Sequence, residues 1–252
     1  MIIRHHLIFA AAVSIALSLA YFPESLVFSF QSAFTQAFAY TAGTLVGVII
    51  PDIHIKKPVK AKELIIPYYI IRLARCFLLP PALQVLRLCN RGSFEKNDKR
   101  ITHSLFGIIS AAILLYLYAY AVSLIICILP QINAASIAFC TQTVFCVYFG
   151  LITGILLHAA EDVCTKKGLF LFFPFCNTNI SGCIRPCKDT KRIIAYASGY
   201  IALMLAVIIL TASGITKESG IESYVQTAVP ILIILITLLT FAVSDIHIVA
   251  GK

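Results

Sequence analysis

Six long apolar stretches constrain the fold of this chain more than any other feature. Each has close to the ~20 residues that a helix needs to cross the hydrocarbon core of a bilayer. By sequence number they are 7–27, 33–50, 104–129, 135–157, 193–212 and 225–243. With 60% hydrophobic and 12% charged residues, the chain has more apolar side chains than a soluble domain can bury. We therefore predict an all-α polytopic membrane helical bundle with six transmembrane helices in a lipid bilayer.

The stretch 64–88 is also apolar, but it differs from the six predicted spans. It contains both prolines and arginines, namely Pro67, Pro80, Pro81, Arg72, Arg75 and Arg87. Proline breaks a helix interior, and arginine is costly within the bilayer. The pattern favours an interfacial or re-entrant helical hairpin in the headgroup region, with a further crossing as the alternative.

Basic residues set the predicted orientation of the bundle. Most of the 20 Lys and Arg lie in two segments, 52–102 and 161–192, whereas the connections 23–32 and 130–136 have none. By the positive-inside rule both basic segments face the cytoplasm, and six spans then place both termini there as well. The net charge of +9 therefore indicates loops beside the anionic leaflet of the inner membrane, and not a nucleic-acid partner.

All six histidines fall at the predicted cytoplasmic ends of the spans. With the aspartates that accompany them, they are His5, His6, Asp52, His54, His103, His158, Asp162, Asp245 and His247. His158 and Asp162 are four residues apart, so both side chains leave one face of a helix. Polar groups are tolerated at any helix end, yet the opposite ends have no histidine. Because imidazole and carboxylate groups bind zinc, manganese and iron, we predict a divalent-metal site on this face.

Three short motifs, in this order, resemble those of a known family. PDIHIKKP, RITHS and LLHAAEDVCTKKGLFLFFPF are similar to the elements of the YdjM-like membrane-bound metal-dependent hydrolases. That family has an N-terminal His, P-D-x-D, H-R-G-x-T-H-S, and H-x-x-x-D followed by T-x-x-G and P-F. The matching residues, within positions 1–175, are His6 (with His5 as the competing register), Asp52, Thr102, His103, Ser104, His158, Asp162, Thr165, Gly168, Pro174 and Phe175.

The resemblance implies a metal site and a reaction class. The implied metal ligands are His6, Asp52, His103, His158 and Asp162, and the candidate catalytic residues are Asp52 and His54. Zinc is the first choice of metal, with manganese or iron as alternatives. The family is itself distantly similar to zinc-dependent phospholipase C and P1 nuclease. The implied activity is hydrolysis of a phosphoester or lipid-linked substrate at the cytoplasmic leaflet by a metal-activated water. A ligand in the first span also argues against its removal as a signal peptide.

The chain departs from the family pattern at two positions. His54 replaces the second Asp of P-D-x-D, and Asp98 replaces the first His of H-R-G-x-T-H-S. Both replacements are still able to bind a metal, so the site need not be lost, and we expect a site for one or two metal ions. Glu161 is left outside the site, because it lies about 100° round the helix from Asp162, with a role as a general base as the alternative.

Two further assignments concern the basic loop before the third span. Thr102 is predicted to cap the helix of that span. Four cationic residues are assigned to the leaflet surface in preference to a substrate phosphate, namely Lys56, Lys57, Lys99 and Arg100.

The chain is predicted to have two parts. Residues 1–192 form the hydrolase-like membrane domain, and 193–252 add two C-terminal transmembrane helices. The nine cysteines lack both the pairing expected of a secreted disulfide framework and the CxxC spacing of a zinc knuckle. The alternative function class is a non-catalytic membrane protein, either a transporter or a structural partner. A transporter would place polar residues near the middle of the bilayer.

Overall fold

Helices make up almost all of the chain that the structure describes. The structure is a computed structural model that describes residues 3–26, 31–54, 65–89, 98–128, 133–213 and 221–250. The α-helices are α1 (Ile3–Tyr21), α2 (Gln31–Gly47), α3 (Ile65–Phe77), α4 (Leu79–Cys89), α5 (Lys99–His103), α6 (Leu105–Ile128), α7 (Ala134–Val163), α8 (Thr190–Ala212) and α9 (Glu222–Val243). Two 3₁₀ helices, Pro23–Leu26 and Ile50–His54, and two strands, β1 (Thr178–Ser181) and β2 (His247–Ala250), complete the described elements.

Six helices within these ranges are long and apolar enough to cross a membrane. They are α1, α2 with the 3₁₀ helix that follows it, α6, α7, α8 and α9. The prediction of an all-α polytopic bundle with six spans is therefore confirmed. Two boundaries move in a way that matters for the site. Helix α1 begins at Ile3, before the predicted start of the span at residue 7, and α7 continues past the predicted end of its span at 157 to Val163, which confirms that His158 and Asp162 lie on one helix. His6, His158 and Asp162 are therefore all helical.

The six candidate spans divide into inner and outer helices. In the apolar windows of α1 and α2, 56% and 50% of the residues are buried, against 11% in α6 and in α9. The outer helices therefore present Leu and Ile side chains over most of their surface, as expected for contact with lipid. The inner pair can carry polar side chains because its surroundings are protein.

Helices α2 and α7 pack through four glycines. Gly43 and Gly47 of α2 face α7, and Gly150 and Gly154 of α7 face α2 in the same chain direction. A Cβ built on any of the four would collide with the backbone of the facing helix, for example at Gly154 with the carbonyl of Thr44. Pairs of small residues four apart allow membrane helices to approach this closely. The two helices thus run parallel, and their C-terminal ends lie side by side.

Apolar packing surrounds this pair on two sides. On one side α1 packs against α8 and α9, where the ring of Phe9 meets that of Tyr200 edge-on at 5.6 Å and the Tyr200 hydroxyl lies 2.9 Å from Thr237 Oγ1. On the other side Ile53, Leu79 and further buried residues join the second 3₁₀ helix to α4, α6 and α7. Helix α7 contributes Leu157 to the first cluster and Ile155 to the second, so its C-terminal part connects them.

Two short helices, α3 and α4, joined at Leu78, make up the described part of the stretch for which the sequence predicts a hairpin. Helices α3 and α4 are too short to cross a bilayer, and the described residues at their junction pack inward through Ile71 and Leu78. Tyr69 and Leu73 face outward with exposures of 60% and 62%. Arg75 donates to the carbonyls of Ile53 and His54 in the second 3₁₀ helix. This amphipathic hairpin is therefore attached to the segment that holds two of the candidate site residues.

A short sheet closes the end of α7. Strands β1 and β2 pair antiparallel, with Ser181 opposite His247. The loop that leads to β1 turns at Gly168, whose φ of 60° favours glycine, and then places the Leu171 carbonyl against the Leu105 backbone N–H at 2.8 Å. The loop therefore fixes the start of α6 next to the end of α7. The sequence gives no strong indication of these four-residue strands.

Candidate metal centre

The candidate site lies at one face of the bundle, where the start of α1 meets the ends of three other elements. His6 is in the first turn of α1, and Asp52 is in the 3₁₀ helix after α2. His103 is the last residue of α5, directly before α6, while His158 and Asp162 occupy the last turns of α7. The parallel packing of α2 and α7 brings these ends to one level. The structure thus brings together all five residues that the sequence predicts as metal ligands.

Three ligand atoms form the centre of the cluster. His103 Nε2 and His158 Nε2 lie 3.2 Å apart, and they lie 3.5 and 3.7 Å from Asp162 Oδ2. On one side His6 Nε2 lies 3.7 Å from the other carboxylate oxygen of Asp162, and on the other Asp52 Oδ1 lies 4.0 Å from His103 Nε2. The three histidines and Asp162 are buried, with exposures of 1–3%. Several groups that normally need water or a partner are therefore concentrated in one dry place.

Each of the three histidine rings has its Nδ1 next to an oxygen. The Nδ1 of His158 lies 2.6 Å from the backbone carbonyl of Val48, which can only accept a hydrogen bond. In a neutral imidazole this contact places the proton on Nδ1 and leaves the lone pair of Nε2 directed into the cluster. The Nδ1 of His103 lies 2.9 Å from Thr102 Oγ1. The same arrangement, with Nδ1 anchored and Nε2 directed inward, is typical of metal-binding histidines.

The rings are also packed against one another. His6 and His158 stack at 4.0 Å with an angle of 11° between the ring planes, and His103 meets His158 edge-on at 5.1 Å. Burial, followed by the His158 ring and Lys99, holds the pKa of His103 well below its ordinary value. His103 is therefore neutral at pH 7, which is the form that binds a metal.

These residues fit a divalent metal. Two atoms bound about 2.0–2.1 Å from a tetrahedral ion lie about 3.3 Å apart, close to the 3.2–3.7 Å separations at the centre of the cluster. Two sets of three residues share His158, and within each set the ligand atoms lie within 4.8 Å of one another. The first set is His6, His158 and Asp162, and the second is Asp52, His103 and His158. The donor set of imidazole nitrogen and carboxylate oxygen suits zinc, manganese or iron.

Lys99 belongs to this site and not to the leaflet surface, in contrast to the expectation from sequence. Its Nζ lies 2.8 Å from Asp162 Oδ2, and its side chain is 38% exposed. The lysine therefore reaches the buried aspartate from the solvent side. Its ammonium charge is directed at the site because both ends of α5 contact α7, Lys99 through Asp162 and His103 through His158. Lys56 and Lys57 lie outside the described residues.

Asp98 and Arg100 have a structural role that the sequence did not indicate. Asp98 accepts the backbone N–H of Arg100 at 2.9 Å and caps α5, and the Arg100 guanidinium binds both of its carboxylate oxygens. Burial raises the pKa of the Asp98 carboxyl, but the hydrogen bonds from Arg100 outweigh this effect and lower it overall. Arg100 also lies over the ring of Phe173 at 4.8 Å. Asp98 is in neither set of candidate ligands, because its carboxylate is occupied by the cap and the ion pair.

Three further predictions have specific outcomes. Ser104 and not Thr102 caps α6, since its Oγ accepts the backbone N–H of Gly107 at 3.0 Å. His54 is half-buried at the edge of the cluster, with Nδ1 3.1 Å from the Pro51 carbonyl and its ring 5.1 Å from that of His103. His247 lies in β2, exposed and 3.3 Å from Ser181 Oγ, outside both ligand sets.

Comparison with known proteins identifies the family of the chain. A family model described as YdjM inner membrane protein matches residues 1–244. The chain belongs to this family. The match continues through α8 and α9, beyond the motifs that end near residue 175. Together with the six apolar helices, it makes the chain a multi-pass inner membrane protein. No curated protein and no solved structure matches the chain.

Sequence reasoning missed one residue of the site and the packing that supports it. Glu161 lies against His6, with Oε2 2.6 Å from the ring Nδ1. Glu161 and Asp162 point in different directions from α7, but Glu161 still reaches the site because it contacts His6. The paired small residues of α2 and α7, GTLVG and GLITG, are a readable signal for the close contact of the two helices.

Proposed function

We propose that this protein is a membrane-embedded metal-dependent hydrolase that acts on a phosphoester or lipid-linked substrate at the cytoplasmic leaflet. The observation that supports the proposal most directly is the buried convergence of His103 Nε2, His158 Nε2 and Asp162 Oδ2 within 3.2–3.7 Å. A cluster of this kind is costly in a membrane protein unless it binds something. Membership of the YdjM family supports the membrane setting, and the chemistry rests on the cluster and on the resemblance of the motifs.

Five residues would hold the metal: His6, Asp52, His103, His158 and Asp162. We favour zinc, because most of these donors are imidazole nitrogens, with manganese or iron as the alternatives. When bound, such a metal supplies a Lewis acid and a nucleophilic water at neutral pH. The proposed distant similarity to phospholipase C and P1 nuclease agrees with this donor set.

Asp52 and His54 are the proposed catalytic residues. Both lie on the second 3₁₀ helix and both are half-buried, so they can reach the cluster and the solvent. Asp52 is close enough to orient a water, and His54 is placed to pass a proton between the site and its surroundings. Arg75 holds the backbone of this helix through the His54 carbonyl, which limits its movement.

An anionic substrate group is favoured by the charges at the entrance to the site. Lys99 is half-exposed and directed at the cluster, so its ammonium can bind a phosphate oxygen. The α3–α4 hairpin beside the site has exposed apolar side chains, including Tyr69 and Leu73, which suits a position in the headgroup region. The positive-inside bias of the two basic segments supports a cytoplasmic location for this face.

Metal analysis of purified protein tests the proposal. Wild-type protein is expected to contain stoichiometric zinc, manganese or iron, whereas His158→Ala and Asp162→Ala are expected to lose it. His247→Ala is the matched control, because His247 also lies at the predicted cytoplasmic end of a span but belongs to neither ligand set. Wild-type protein without metal, or full metal in both site variants, would refute the hydrolase proposal.

A non-catalytic role as a transporter or structural partner is the competing proposal. The membrane-spanning helix α6 has no Asp, Glu, His, Lys or Arg between Leu105 and Ile128, and in α9 the only such residue is Glu222 at its first position. A substrate path through the middle of the bilayer would need such groups. If His158→Ala loses both its bound metal and phosphoesterase activity, the result favours the hydrolase over this alternative.

A further inference from the structure

We propose that Glu161 is a positioning residue that accepts the Nδ1–H of His6 and so directs Nε2 of this ring at the metal site. The inference rests on the proposed metal site and adds a residue to it. It also gives the C-terminal helix pair a part in the site, because that pair encloses the Glu161 carboxylate.

The contact between Glu161 and His6 is close and dry. Oε2 of Glu161 lies 2.6 Å from Nδ1 of His6, while Nε2 of the same ring lies 3.7 Å from Asp162 Oδ1. Within the described residues, both carboxylate oxygens and both ring nitrogens are shielded from solvent and make no aligned hydrogen bond. Buried polar atoms of this kind need a partner. A small rotation of the His6 ring or the Glu161 carboxylate would let Nδ1 donate a hydrogen bond to Oε2. A metal would be the partner of His6 Nε2.

The other two histidines show what this contact would do. His158 Nδ1 lies against the carbonyl of Val48, and His103 Nδ1 lies against Thr102 Oγ1. In all three rings Nε2 is the atom that is directed into the cluster. Of the three acceptors, only Glu161 is a carboxylate. A carboxylate behind a metal-binding histidine fixes the tautomer and raises the basicity of the ring, and its loss lowers metal affinity.

Glu161 also lines a small cavity between α1, α7, α8 and α9. The cavity has a volume of about 20 Å³, and Tyr196 and Thr240 line it together with Glu161. The Tyr196 hydroxyl is also buried without a hydrogen-bond partner among the described residues. A cavity of this size can hold one water, which could bridge the tyrosine and the carboxylate. Helices α8 and α9 would thus supply a hydrogen-bond partner for Glu161 while it holds His6.

Zinc and cobalt binding to full-length purified protein tests this role. We expect Glu161→Ala to bind zinc about 10- to 100-fold more weakly than wild type in a chelator competition. Glu161→Gln preserves the volume and should give a smaller loss. With cobalt in place of zinc, both variants should show a shifted visible spectrum, because the His6 ligand changes its orientation or basicity. A purely structural role would lower stability in the absence of metal without changing the spectrum.

Two controls separate the possible failures. Glu222→Ala removes a carboxylate from the start of α9, away from His6, and should leave zinc affinity and the cobalt spectrum unchanged. If His158→Ala loses metal while Glu161→Ala and Glu161→Gln match wild type in affinity and spectrum, this inference is wrong and the metal site stands. If wild-type protein binds neither metal, the proposed function and this inference fail together.

Discussion

Two pairs of helices in this protein are held together in opposite ways. Helices α2 and α7 meet backbone to backbone through four glycines, and a Cβ on any of them would collide with the facing helix. Helices α8 and α9 meet through side chains, with the Tyr200–Thr237 hydrogen bond as one tie, and a Cβ on Gly199 would lie 3.6 Å from Ile236, an ordinary contact. The first pair has almost no freedom to shift, whereas the second can adjust its side chains.

The difference matches what each pair contributes to the candidate site. Helix α7 carries His158 and Asp162, and the end of α2 supplies the Val48 carbonyl that holds His158 at 2.6 Å. A metal site tolerates displacements of only a few tenths of an ångström. The close glycine contact is therefore where precision is needed. Helices α8 and α9 contribute no candidate ligand, and they enclose the cavity behind Glu161.

The largest effect should come from breaking the glycine contact. We expect Gly154→Ala to destabilise the protein by about 2–3 kcal/mol, because the new methyl group must displace the backbone of Thr44 and Val48. The same displacement should weaken metal binding by moving the carbonyl that holds His158. Gly199→Ala is the matched control and should be neutral or stabilising by up to about 1 kcal/mol. Unfolding in mixed micelles and metal content measure both effects.

Equal stability of the Gly154→Ala and Gly199→Ala proteins would contradict the comparison. It would mean that α2 and α7 can separate without cost. A destabilised Gly154→Ala protein with unchanged zinc affinity would instead show that the glycine contact supports the fold but not the geometry of the metal centre.

A smaller effect should follow from removing the hydrogen bond between Tyr200 of α8 and Thr237 of α9. Tyr200→Phe deletes the hydroxyl that lies 2.9 Å from Thr237 Oγ1, and we expect a loss of about 0.5–1 kcal/mol. Tyr224→Phe is the matched control on the same pair, because this tyrosine is 72% exposed, and it should have no measurable effect. Metal content should stay stoichiometric in both. A loss for Tyr200→Phe as large as that for Gly154→Ala would remove the distinction between the two pairs.

The smallest effect concerns the reactivity of two thiols near the end of α7. Burial raises the pKa of Cys164 to about 11, so only about 0.1% of it is thiolate at pH 8. Cys176 is exposed, and hydrogen bonds from Thr178 lower its pKa. Brief alkylation at pH 8, read by peptide mass spectrometry, should label Cys176 and spare Cys164 until the protein is unfolded. Because Cys164 lines the cavity against α8 and α9, early labelling there would show that this pair opens readily.

The parts of the fold and site that could be predicted from sequence are those with a strong local signal. Hydropathy identifies the six spans, and proline and arginine distinguish the stretch 64–88 from them, because the bilayer penalises charge and broken helices wherever they occur. The five candidate ligands follow from their residue types, their common predicted depth and the family motifs. Their convergence in the structure agrees with the prediction, although the metal itself stays a proposal.

The parts that could not be predicted depend on partners distant in the chain. The angle between Glu161 and Asp162 on one helix predicts that Glu161 lies outside the site, but its partner His6 belongs to another helix. Lys99 and Arg100 are adjacent and similar in charge, yet one reaches Asp162 and the other binds Asp98. The division at residue 192 stays a prediction, and α8 packs directly on α1 across it.

The contact between His158 and the Val48 carbonyl has a consequence for how sequences of this family can be compared. The acceptor is a main-chain atom at the point where α2 has just ended. Any residue at position 48 would provide the same oxygen, so this part of the site can be kept while the amino acid changes. What must be retained is the place where the helix stops, directly after Gly47, the glycine that contacts the backbone of α7. We therefore expect an alignment of family sequences to show the glycine at position 47, although the group that contacts His158 is the main-chain carbonyl of position 48.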